Sequence, residues 1–101
     1  MDGYKLLVTF NVSPQREMEY RRFMIQRWIP AMQRMGLEPG DVLHTMWGDY
    51  AVRMVVLYAK DLETITRTLT SDGWKRWCER LTERVEDCEY RVVRARPWLQ
   101  F

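Results

Sequence analysis

Apolar and polar positions alternate from residue 4 to residue 12. Tyr4, Leu6, Val8, Phe10 and Val12 fall on one side and Lys5, Leu7, Thr9 and Asn11 on the other, which predicts a strand. From Ser13-Pro14 onward the spacing becomes helical, with Ser13 as N-cap and Pro14 at the first helical position, where its missing N–H costs nothing. The predicted inward stripe is Met18, Ile25, Ile29 and Met32, widened by Tyr20, Met24, Trp28 and Met35. Pro30 predicts a kink near Trp28, and Gly36 predicts the helix stop. Glu38-Pro39-Gly40 reads as a turn, followed by strands over 41–47 and 50–59 joined in a tight hairpin at Gly48-Asp49. Asp61 caps a second helical region with Leu62, Ile65 and Leu69 inward. Ser71-Asp72-Gly73 breaks that region and re-caps a segment whose inward face is Trp74, Cys78, Leu81 and Val85. A last strand spans 90–94, and Pro97 ends it before an apolar tail of Trp98, Leu99 and Phe101.

The order β-α-β-β-α-β predicts an α+β class: a ferredoxin-like plait with a four-stranded antiparallel sheet and both helical regions on one face. Its length of 101 residues fits a single domain, 1–101. The third strand does not alternate. Ala51, Val55, Leu57 and Ala59 project one way and Val52, Met54, Val56 and Tyr58 the other, with Arg53 the lone charge. A sheet that is apolar on both faces needs a second cover. A second copy supplies it most simply, because a two-fold axis makes one patch complementary to itself. Two sheets then pack as a dimeric α+β barrel, with Val55 as a central outward position. The alternative is that the strand ends and the apolar tail cover this face within one chain.

Composition narrows the partners. The chain is 47% hydrophobic and 30% charged with a net charge of +2, which demands neither nucleic acid nor an anionic membrane. No apolar run approaches the roughly 18–20 residues of a membrane span. Met1-Asp2-Gly3-Tyr4 lacks the basic start of an export signal, so the expected location is cytoplasmic. Cys78 and Cys88 are too few for a disulfide scaffold or a zinc knuckle. An RNA-recognition module shares the element order and reads bases with aromatics on its open sheet face. Residues 50–59 lack the required Gly-aromatic pattern with a leading Lys or Arg.

Candidate chemistry gathers on the central hairpin. A loop at Gly48-Asp49 pairs Trp47 with Tyr50 and sets His44, the only histidine, directly opposite Arg53. Like charge and desolvation bias that imidazole toward neutrality. His44 could then accept a proton while Arg53 held a carboxylate, phenolate or enolate oxygen, which makes both candidate catalytic residues. The plain alternative is a polar pair at the dimer interface, with Arg53 bonded to a carboxylate or carbonyl of the partner chain. Trp47 and Tyr50, on the opposite face, and Asn11, at the end of the first strand, are candidate ligand-binding residues. One histidine and scattered carboxylates supply no metal-ligand spacing.

The strand order, the long first helix ending Trp28-Ile29-Pro30, the Pro39-Gly40 turn and the broken second region at Ser71-Asp72-Gly73-Trp74 resemble the dimeric α+β barrel superfamily. That superfamily includes antibiotic-biosynthesis-monooxygenase-like proteins and related small cyclases and isomerases. The resemblance implies a homodimer and a cofactor-independent oxygenase, cyclase or isomerase acting on a small apolar or aromatic substrate. The alternative is a non-catalytic small-ligand-binding or structural dimer. Haem-degrading members resemble the chain at Ser71-Asp72 and carry an axial histidine seven residues after that Ser. Cys78 stands there instead, so no haem or other cofactor is expected.

Overall fold

The computed structural model describes residues 3–47 and 50–95, with the side chains at 41–47, 50, 51 and 95 outside that description. Strand β1 (Gly3–Val12) leads through a 3-10 turn at Pro14–Arg16 into α1 (Glu17–Phe23). A π-turn over Met24–Trp28 joins α1 to α2 (Ile29–Arg34), and β2 (Glu38–Trp47) and β3 (Tyr50–Ala59) follow. Then come α3 (Leu62–Leu69), α4 (Asp72–Thr82) and β4 (Glu86–Ala95). The sheet is antiparallel in the order β2-β3-β1-β4, the ferredoxin-like arrangement predicted from the element order. Among the described residues no helix is long and apolar enough to cross a membrane.

The predicted kink is a π-turn. The Ile29 N–H bonds to the Met24 carbonyl, five residues back. Pro30 has no N–H and would press its ring on the Gln26 carbonyl, so the wider turn relieves that clash. It also keeps the core face in phase. Tyr20, Met24, Trp28 and Met32 recur every four residues and are all buried. In an ideal α-helix, at 3.6 residues per turn, each such step drifts by about 40°. The buried face is therefore this set with Phe23 and Ala31, and two predicted inward residues are wrong: Met18 is 75% and Ile25 73% exposed. Leu62, also expected inward, is exposed.

The caps follow the sequence with one exception. Asp61 Oδ1 accepts from the Thr64 N–H at 2.8 Å, and Ser71 Oγ accepts from the Trp74 N–H at 3.2 Å. Ser13 holds the N-cap place but makes no side-chain cap bond. Gly36 ends α2 at φ 96°, where a side chain would be strained. Glu38-Pro39-Gly40 is not a free turn. These residues belong to β2, and its pairing with β3 shifts register between Pro39 and Val42, a bulge that accommodates Pro and Gly within a strand. β4 likewise begins at Glu86, earlier than the period suggested.

The core lies between the sheet and the helices and contains Leu6, Val8, Phe10, Val55, Leu57, Trp28, Met32, Trp74 and Leu81. Val55 is thus an inward residue, 1% exposed beneath the helices, not the outward position expected. On the face opposite the helices Leu7 and Val56 are paired and each is 2% exposed, while Val52 and Met54 are half-buried.

Candidate functional site

β3 carries Arg53 onto the helical face of the sheet, beneath α1. Burial of a guanidinium demands a counter-charge, and the first turn of α1 provides it. Arg53 donates from Nη1 to Glu17 Oε2 at 2.7 Å and from Nη2 to Glu17 Oε1 at 2.5 Å, a two-pronged fit. Arg21 Nε also donates to Glu17 Oε2, at 2.7 Å. The guanidinium lies 5.0 Å from the Tyr20 ring centre, and Tyr20 meets Phe10 edge-on at 5.4 Å. The bond from Arg53 holds the Glu17 carboxyl below the usual carboxylate range, against the opposing effect of burial. Burial raises the Tyr20 phenol, and Glu17 raises Arg53 further.

His44 is the register partner of Arg53, as predicted from the hairpin; its side chain lies outside the described residues. Within the chain the partner of Arg53 is a carboxylate of the adjoining helix. Glu17 of the same chain takes both terminal nitrogens, and only the buried Nε is left without a partner. The sequence contained a signal for this: a lone charge within an apolar strand needs an opposite charge nearby, and Glu17 opens the adjoining helix.

The remaining candidates separate. Asn11 Nδ2 donates to Asp87 Oδ2 at 3.0 Å, tying β1 to the start of β4, where Asp87 adopts φ 53°. Trp47 and Tyr50 are register partners, as predicted, and their side chains lie outside the described residues.

A ligand-sized concavity lies elsewhere, between the α3–α4 break and β4. It has a volume of about 580 Å³ and is lined by Leu69, Ser71, Trp74, Cys78, Thr82 and Tyr90, with Asp72, Lys75 and Glu79 alongside. That size and mixture suit a small organic ligand. Trp74 meets Tyr90 edge-on at 5.3 Å and Trp28 at 6.4 Å, forming a row of rings from the core to the groove. Since β4 and β2 are opposite edges of the sheet, the groove is not built from His44 and Arg53. A second hollow of about 670 Å³ lies over Leu7, Thr9, Met54, Cys88, Glu89 and Arg91.

Cys78, seven residues after Ser71, lines the groove. Burial pushes its thiol up to about 12, so it stays protonated at neutral pH. Among the described residues no three His, Cys, Asp or Glu side chains group to hold a metal ion.

No protein-family model and no curated protein matches the sequence. Solved structures do match, over nearly the whole chain. SnoaB, a cofactor-independent oxygenase from Streptomyces nogalater, is 18% identical with a TM-score of 0.66, and the match covers 100% of both chains. An antibiotic biosynthesis monooxygenase-like protein from Deinococcus radiodurans is 13% identical with a TM-score of 0.67, covering 97% of each chain. A NIPSNAP family protein of unknown function from Agrobacterium tumefaciens is 11% identical with a TM-score of 0.67, covering 97% of this chain and 92% of that one. At these identities the likeness is one of fold. The chain carries an α+β, ferredoxin-like fold, which these structures share.

Proposed function

We propose that the protein is a cofactor-independent oxygenase, cyclase or isomerase acting on a small apolar or aromatic substrate held in the groove between the α3–α4 break and β4. The groove carries this reading: an aromatic wall of Trp74 and Tyr90 beside Ser71, Asp72 and Lys75, in a fold shared end to end with SnoaB. Chemistry of this kind starts with removal of a proton from the substrate and stabilisation of the resulting anion. His44 lies on β2, the sheet edge opposite the groove, so for a substrate held in the groove the proposed base is one of the groove's own carboxylates, Asp72 or Glu79. Arg53 is not available for that chemistry, because Glu17 already takes its terminal nitrogens.

One observation favours a non-catalytic ligand-binding protein. The Cys78 thiol in the groove is held protonated and the Arg53 pair is closed, so neither is available for chemistry. Oxygen uptake with anthrone, a tricyclic aromatic ketone with an acidic C–H, separates the two. Saturable uptake that chelators do not alter supports an oxygenase, and binding without turnover supports the ligand-binding protein. Absence of both binding and turnover contradicts the groove as a ligand site. Turnover is expected to survive His44→Ala and to fall in Asp72→Asn or Glu79→Gln; loss in His44→Ala alone would move the base to the β2–β3 hairpin.

We further propose that two copies pair through the sheet face opposite the helices, where half-buried Val52 and Met54 surround the buried Leu7–Val56 pair and Glu89 and Arg91 stand exposed on the edge strand.

A further inference from the structure

Among the described residues, two buried side-chain donors lack a partner: Arg53 Nε and Trp28 Nε1. The Arg53 nitrogen belongs to a guanidinium already neutralised by Glu17. Trp28 is different. Its side chain is 0% exposed within an apolar cluster, and nothing accepts its N–H. Folded proteins leave few such groups, and phenylalanine would fill a core position of this kind without an orphaned donor. Trp28 also ends the π-turn, an irregularity that recurs at functional sites. Its ring touches Trp74 at 6.4 Å, and Trp74 in turn touches Tyr90 and lines the groove.

We propose that Trp28 Nε1 is a ligand-binding donor: when the Trp74 ring turns aside, the N–H takes the carbonyl or phenolate oxygen of an aromatic ligand in the groove. This rests on the reading that the groove accepts an aromatic ligand. A neutral N–H in an apolar surround gives an oxygen its hydrogen bond without competition from water, and it strengthens as negative charge develops there. It makes the groove specific for aromatic ketones and phenols over plain hydrocarbons.

The test uses binding alone, so it stands apart from any failure of turnover. Indole N–H signals of the ¹⁵N-labelled protein are followed while 9-fluorenone or fluorene is added, with the Trp28 signal assigned through the backbone. Fluorenone is expected to move the Trp28 proton downfield, fluorene to leave it in place. Trp28→Phe, which removes the donor together with part of the ring and keeps an aromatic contact, is expected to bind fluorenone about tenfold more weakly and fluorene unchanged. The wild-type shift decides the matter even if that variant does not fold. Backbone amide signals of Cys78 and Tyr90 that move with fluorenone while the Trp28 indole stays still would overturn the donor role and leave the groove intact. No movement in either place would overturn both.

Discussion

Arg53 and Glu17 form an asymmetric pair, and the asymmetry predicts which deletion does more harm. The Arg53 side chain is 8% exposed and that of Glu17 26%. Glu17→Ala strands a buried cation. Removing one partner of a buried pair costs about 3–5 kcal/mol, and the low end applies here because the Tyr20 ring still faces the guanidinium. A loss of about 3 kcal/mol lowers the melting temperature by roughly 12–24 °C in a domain of this size. Arg53→Met leaves a carboxylate that reaches solvent and keeps Arg21, and the new side chain packs among apolar neighbours, so its cost is about 1 kcal/mol or less. Glu17→Ala combined with Arg53→Met returns close to the Arg53→Met value. Urea unfolding followed by tryptophan fluorescence measures all three in one double-mutant cycle. Equal costs for the two single variants would refute the reasoning. Acid gives a second readout. The folded pKa of Glu17 lies below its unfolded value, so its stabilisation is complete above the unfolded value, near 4.3, and fades as pH falls through the folded one. That acid-dependent loss shrinks in Arg53→Met.

Cys78 acts at the other end of the scale. Its pKa is raised to about 12, so the folded state keeps a proton that the unfolded chain releases; stability falls as pH rises from about 9 toward 12, and Cys78→Ala flattens that fall in thermal melts. Gly36→Ala places a side chain at φ 96° and costs about 1 kcal/mol in urea unfolding. Light scattering is expected to give twice 12.3 kDa. Met54→Glu, on the face opposite the helices, converts this to a folded monomer, whereas Val55→Glu, in the core, unfolds the chain as judged by circular dichroism. A wild-type monomer would contradict the paired sheets.

Element order, hairpin register and two helix caps were legible because each rests on local rules: period, turn residues and side-chain oxygens one turn from an N–H. The phase of the first helix was not. Met18 and Ile25 fit an ideal 3.6 period, but Pro30 forces a π-turn and the buried face follows the four-residue spacing of Tyr20, Met24, Trp28 and Met32. Val55 was misplaced because the third strand is apolar on both faces, leaving only long-range packing to distinguish them. In the candidate site, the His44–Arg53 pairing was readable from the loop length. Glu17 was not, since an ion pair between residues 36 apart depends on where the helix crosses the sheet. The groove likewise needs the α3–α4 break and β4 to meet, which no local pattern specifies.

The proposed site for small aromatic ligands lies between the α3–α4 break and β4. A backbone amide titration of the ¹⁵N-labelled protein with 9-fluorenone tests it most directly. The expected result is saturable movement confined to residues 69–82 and to Tyr90. Movement centred instead on His44 and Arg53, or none at concentrations up to the solubility of the probe, would contradict it.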